Sequence, residues 1–160
     1  MIDISQLETF VSELDAAQTQ IKSKIAEILD DAGEEFLDLV QNEITNAGNV
    51  DTRVLLSSFS KGSGYGVYEL DIGELTLTVG TNVEYAQWVN DGHSQQPGRF
   101  IPGFWQGGRF IYQPGASTGM VLKASFVEGS HFFDSAERDM ENRFPRIISD
   151  AMETLLGSLF

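Results

Sequence analysis

Apolar residues at Ile4, Leu7, Val11, Leu14, Ile21, Ile25 and Ile28 recur in steps of three and four, with Gln18 as the one polar position of the seam. A strand turns every second residue to one face and a helix every 3.6, so only a long helix gathers these side chains into a single stripe. The stripe can pack on the chain's own sheet or on a neighbouring copy, and its narrowness suits a helix-on-helix seam. Ser5 stands three residues before Glu8, the capping-box spacing, so the helix starts near Ser5. Phase is lost between Asp31 and Glu35, and Phe36, Leu37, Leu39, Val40 and Ile44 restart an apolar face after Gly33. This predicts a second helix, or a continuation past a stutter, ending near Asn46-Ala47-Gly48.

The segment VYELDIGELTLTVG (67–80) reads as a β-hairpin closed by Gly73-Glu74 in a type II′ turn. A two-residue loop there pairs Ile72 with Leu75, Leu70 with Leu77 and Tyr68 with Val79, which puts six apolar side chains on one face. VEYAQWVNDG (83–92) follows as a short amphipathic helix ended by Asp91-Gly92. From Gly92 to Gly129 the chain holds 8 of its 16 glycines and 3 of its 4 prolines, interleaved with Phe100, Phe104, Trp105, Phe110, Tyr112 and Phe126. Linkers are rarely so aromatic and packed elements are rarely so rich in glycine, so residues 92–125 read as an extended loop or arm with Phe104 and Trp105 as anchors. A last helix follows from Asp134 as N-cap, with Ala136, Met140, Phe144, Ile147, Ile148, Ala151, Leu155 and Leu159 on its apolar side and Pro145 as a kink. The expectation is one α+β domain over residues 1–160, with a long N-terminal helix and a C-terminal helix packed on a small antiparallel sheet.

The chain carries 24 acids against 10 bases, a formal charge of −14, and no cysteine. Thiolate metal sites and disulfide frameworks are thereby excluded. Residues 1–50 hold 11 acids and 2 bases, whereas residues 91–130 hold 2 and 3 and form the only block that is not acidic. Sequence-specific nucleic-acid binding needs clustered Lys and Arg, which this pattern lacks. The longest uncharged run, Phe110 to Leu122, has 13 residues broken by Pro114 and two glycines, too short for a membrane span. The opening MIDISQLETF has acids where a secretory signal carries bases, so the expectation is a soluble protein that acts where it is made or leaves within a larger particle. A zinc or non-haem iron site usually needs two or three convergent imidazoles, and neither His93 nor His131 has a neighbour three or four residues on that would complete one, so no metal and no cofactor are expected. The glycines of Gly62-Ser63-Gly64-Tyr65-Gly66 lack a following GK[ST] and lead into a strand, which points to a turn rather than a phosphate loop. Catalysis would require Asp91, His93 and His131 to converge, a small hydrolase or binding module being the alternative to a purely structural protein.

Three blocks stand in a telling order: NVDTRVLLSSFS (49–60), VGTNVEYAQWVNDGH (79–93) and FVEGSHFFDSAERDMENR (126–143). Together they resemble the lambdoid-phage gene-ten-like tail-component family, in which "DTG-x-L-x-x-S", a strand ending in "VG", "YA-x-x-V-x-x-G" and "F-x-x-G-x-x-F" follow a helical N-terminus. Arg53 stands where that family commonly has glycine, and the stretch 94–125 is longer than in compact relatives. The resemblance implies a non-enzymatic virion protein of the neck or tail-completion type, assembled in the host cytoplasm. It implies a homo-oligomeric ring, a hexamer by preference, at the head–tail junction, with connector or stopper and tail-terminator proteins as neighbours. Tyr85, Ala86, Trp88, Val89 and Gly92 are then the packing residues of the family motif, while Phe100, Phe104, Trp105, Phe110 and Tyr112 are the contacts to a partner.

Overall fold

A computed structural model describes residues 4–48 and 53–159. Its elements run α1 (Ile4–Asn46), α2 (Val54–Ser58), β1 (Gly66–Asp71), β2 (Thr76–Thr81), α3 (Ala86–Asp91), β3 (Gly92–Ser94), β4 (Phe100–Gln106), β5 (Arg109–Tyr112), β6 (Gly119–Val121), β7 (Phe126–Glu128) and α4 (Phe132–Leu159). The fold is α+β, with long N- and C-terminal helices and small antiparallel sheets. The chain divides into two compact units, Met1–Ala86 with Phe132–Phe160 and Gln87–His131.

In the first unit α1 is one helix of 43 residues, so the phase change at Asp31–Glu35 is a stutter and not a break. The apolar stripe turns from solvent to core near Ile25 and Ala26, before the stutter. Leu7, Phe10, Val11 and Leu14 are exposed, whereas Ala26, Ala32, Leu37, Leu39, Val40 and Ile44 are buried. The side chain of Ser5 lies outside the described residues, and with it the capping box. Gly33 sits where a Cβ would run into Leu77 and the Tyr68 hydroxyl. The cost of about 1 kcal/mol for glycine inside a helix is thus offset by letting the hairpin approach the helix backbone.

The β1–β2 pairing is antiparallel with Tyr68 opposite Val79 and Leu70 opposite Leu77, the register expected from the apolar alternation. Its turn differs from expectation. Asp71 Oδ1 accepts hydrogen bonds from the amides of Gly73 (2.8 Å) and Glu74 (3.0 Å), and Leu75, not Gly73, takes the left-handed conformation at φ 53°. The side chain of Asp71 thus closes a four-residue loop in place of a type II′ turn, and Ile72 is left exposed instead of joining the covered face.

Tyr68 ties this hairpin to α1. Its hydroxyl donates to the Asp30 carbonyl (2.8 Å) and lies 2.9 Å from Asp30 Oδ1, while the Lys61 ammonium bonds Asp30 and Glu34 and sits 5.0 Å from the Tyr68 ring centre. Hydrogen bonds from Lys61 and then Tyr68 hold the Asp30 carboxyl below its usual range. Burial, followed by the hydrogen bond to Asp30, pushes the Tyr68 phenol up to about 12. A phenol whose folded pKa is raised contributes stability that is complete below its ordinary pKa of about 10 and is lost as pH rises through about 12. Lys61, also raised, chiefly by its hydrogen bond to Asp30, acts in the same alkaline direction; the lowered Asp30 acts at the acid end, its contribution disappearing as pH falls below about 4. Tyr68→Phe is therefore expected to lose roughly 1 kcal/mol at pH 8 and to show a shallower decline between pH 10 and 12 than the parent, measured as urea midpoints across that range. Parallel declines would contradict the assignment.

The core centres on Val40, Ile44, Phe59 and Phe132, all buried. Phe59 meets Phe132 edge-on (centroids 5.9 Å, 73°), and Phe36 meets Phe133 likewise (5.4 Å, 89°). Helix α4 begins at Phe132, three residues before the start that Asp134 as N-cap implies, and Phe132 is buried in the core; Asp134 falls in the first turn, where its charge favours the helix dipole. Pro145 lies within α4, which continues past it to Leu159.

In the second unit the glycine-rich stretch expected as a loop or arm forms five short strands. Strands β3 and β7 pair antiparallel, and β4 pairs with both β5 and β6. The ladders are joined by backbone bonds, Gln95 N to Ser125 O (2.8 Å) and Leu122 N to Arg99 O (2.9 Å), so 92–106 and 119–128 form one interrupted ribbon. No large apolar side chain described between Gln87 and His131 is buried.

Candidate functional site

The family-motif residues occupy positions that the fold constrains. In α2, Leu55 and Ser58 are buried, and the Ser58 hydroxyl donates to the Leu55 carbonyl (2.7 Å) while accepting from Thr81 Oγ1 (2.8 Å) at the end of β2. Asn49 to Thr52, the start of the first motif block, lie outside the described residues. Arg53, where the family commonly has glycine, is left-handed at φ 62°, and its carbonyl accepts from Ser57 N (2.9 Å). A side chain in that conformation costs about 1–2 kcal/mol. Arg53→Gly is expected to stabilise the protein by roughly 0.5–1 kcal/mol after glycine's own entropy cost, seen as a higher urea midpoint at unchanged slope. An unchanged or lower midpoint would count against this account of the motif.

Around α3, Ala86 is buried and Val89 half-buried, while Tyr85 and Trp88 are exposed, so the motif divides between packing and surface. Gly92 is left-handed at φ 83°, and a Cβ there would strike the Val127 carbonyl and the Gly129 amide; one at Gly129 would strike the Asn90 carbonyl. Here two chain segments cross without space between them, fixed by Ser130 N to Val89 O (2.9 Å) and His131 N to Asn90 O (3.0 Å). The motif glycines therefore build the crossing at which the ribbon begins and ends.

The histidines occupy separate settings. His93 lies in β3 opposite Val127 with its ring 6.4 Å from Trp88, and His131 stands at φ 51° just before α4. Asp91 accepts from the Asn90 amide at 2.7 Å. Among the described residues no group of three His, Cys, Asp or Glu could hold a metal ion, and no helix is long and apolar enough to cross a membrane.

Two surfaces stand out instead. The first is the β4–β5 hairpin, whose register sets Trp105 against Phe110 and Phe104 against Ile111. The Trp105 and Phe110 rings meet edge-on at 5.5 Å, and Trp105 is 63% exposed, Tyr112 62% and Phe100 49%. The strand register that gathers these aromatics is hidden in the sequence by the glycines around them. The second surface is a groove of about 500 Å³ in the first unit, among α1, β2 and α4, lined by Leu29, Phe36, Leu77, Phe133, Met140 and Phe144, with Glu137 also at its wall. It continues into a hollow of about 320 Å³ bordered by Glu141 and Pro145. No sequence signal identifies this groove, because its walls come from three distant segments.

The family described as "Bacteriophage HK97-gp10, putative tail-component" matches residues 8–92, more than half of the chain, and the chain belongs to it. Over 158 residues the chain is 40% identical to the "Uncharacterized protein YqbI" of Bacillus subtilis (strain 168), with 94% of this chain and 95% of that protein covered. It is 38% identical over 158 residues to the "Phage-like element PBSX protein XkdI" of the same organism, covering 98% of this chain and 97% of that protein. No solved structure matches. The chain is a phage structural protein.

Proposed function

We propose that this protein is the subunit of a closed homo-oligomeric ring, six copies in the first instance, at the head–tail junction of a tailed phage or phage-derived particle. In this reading it acts as a neck or tail-completion component between the connector or stopper and the tail terminator, and it performs no catalysis. The carrying observation is the second unit, which exposes Phe100, Phe104, Trp105, Ile111, Tyr112, Val121, Phe126 and Val127. Small sheets are marginal in water unless their apolar side chains pack on something, so such a sheet is a contact surface. Phe100, Phe104, Trp105, Phe110 and Tyr112 are accordingly its partner contacts, while Ala86, Val89 and Gly92 are the packing residues of the family motif and Tyr85 and Trp88 lie on its surface. The exposed stripe of α1, Leu7 to Ile21, offers a further helix seam to a neighbouring subunit. Support also comes from the phage-like element named in the relative that aligns along almost the whole chain.

Particles made without this gene, viewed in negative stain, are expected to show heads and tails that fail to join; normally joined particles would contradict the proposal. A His93→Ala, His131→Ala double variant should restore joining as well as the parent does, whereas an enzyme dependent on those imidazoles would not.

A further inference from the structure

We propose that the aromatic end of the β4–β5 hairpin of one copy seats in the groove among α1, β2 and α4 of the next copy. The inference rests on the ring reading above and adds to it which two surfaces meet.

The donor is a wedge. Trp105 and Phe110 face each other across the strands with their rings edge-on, and Gly107-Gly108, both at positive φ, turn the chain tightly beyond them. Only the pair Gln106 and Arg109 lies between the two rings and the glycine turn, so a basic side chain stands at the tip of the hairpin. The acceptor fits that chemistry. Its walls are aromatic and aliphatic, Met140 is a side chain that adapts to an incoming ring, and Glu137 and Glu141 stand along it to receive a guanidinium.

Charge selects the pairing. The unit Gln87–His131 holds two acids and three bases, leaving 22 acids and 7 bases to the remainder of the chain. Two acidic units repel each other, so the hairpin unit is the part of a second copy that can approach the groove without penalty. Geometry sets the order of assembly. Hairpin and groove are different surfaces, so the contact is head-to-tail, and each copy donates one wedge and accepts one. Repeated contacts of this kind give a ring where the rotation between copies closes and a filament where it does not, whereas a stripe that pairs with its own equivalent stops at two.

The chain has no cysteine, so two can be introduced on a silent background. Gln106→Cys places a thiol at the tip of the hairpin, opposite Arg109, and Thr78→Cys places one at the exposed side of the groove. Full-length protein carrying both, assembled into particles and treated with a short bismaleimide, should give a ladder of linked multimers up to the ring size. Each single variant alone should give none. Adding Trp105→Ala should lower linking at least tenfold, and Arg109→Glu or Glu137→Lys should each lower it, with partial recovery in the combined charge swap. Multiple copies in the untreated particle without inter-chain linking, or linking confined within one chain, would overturn this inference and leave the ring reading standing. A single copy in the untreated particle would overturn both.

Discussion

Phe59→Ala is expected to destabilise the protein by about 3–5 kcal/mol, enough to leave much of the chain unfolded at 37 °C, given that small domains have only about 5–15 kcal/mol in total. Phe59 is the hinge of the core. It is buried, its ring meets Phe132 edge-on and lies 6.0 Å from Phe133, and its carbonyl accepts from the Gln41 amide at 2.5 Å. One truncation thus strips contacts from α4 and leaves a cavity at the end of α2, between chain segments far apart in sequence. Urea unfolding followed by circular dichroism measures the effect. A loss under about 1 kcal/mol would mean that the aromatic cluster is not the core.

Trp105→Ala is expected to do the reverse: little to the fold, much to assembly. In the isolated subunit the variant loses only a cross-strand ring pair, up to about 1 kcal/mol. In the particle, an aromatic anchor in a desolvated pocket is worth about 2 kcal/mol or more, so incorporation should fall roughly thirtyfold in competition with the parent chain. Equal incorporation of both chains would remove Trp105 from the contact surface.

What the sequence foretold, and what it hid, follows from how far each determinant reaches. The pairing of Tyr68 with Val79 and Leu70 with Leu77 was legible because a one-residue slip would turn every apolar side chain outward. The turn was not, because Asp71 closes it with its own side chain and so relieves Gly73 of the conformation assigned to it. Helix α1 ran on through Gly33 because a close approach by Leu77 and Tyr68 favoured glycine there, a tertiary reason invisible in a helical period. The strands between Gly92 and Glu128 escaped notice because several are only three residues long and their turns consume the glycines that read as loop. The aromatics proposed as contacts could be picked out by composition alone. The groove could not, since Leu29, Leu77 and Met140 meet only after folding.

We propose a ring of this subunit at the head–tail junction. A reconstruction of the intact particle by electron cryomicroscopy, with the chain traced into the neck density, tests it most directly. The expected density is a closed ring of six copies between connector and tail, each contributing its β4–β5 hairpin to a neighbour. A single copy per particle, or density for this chain only outside the junction, would contradict it.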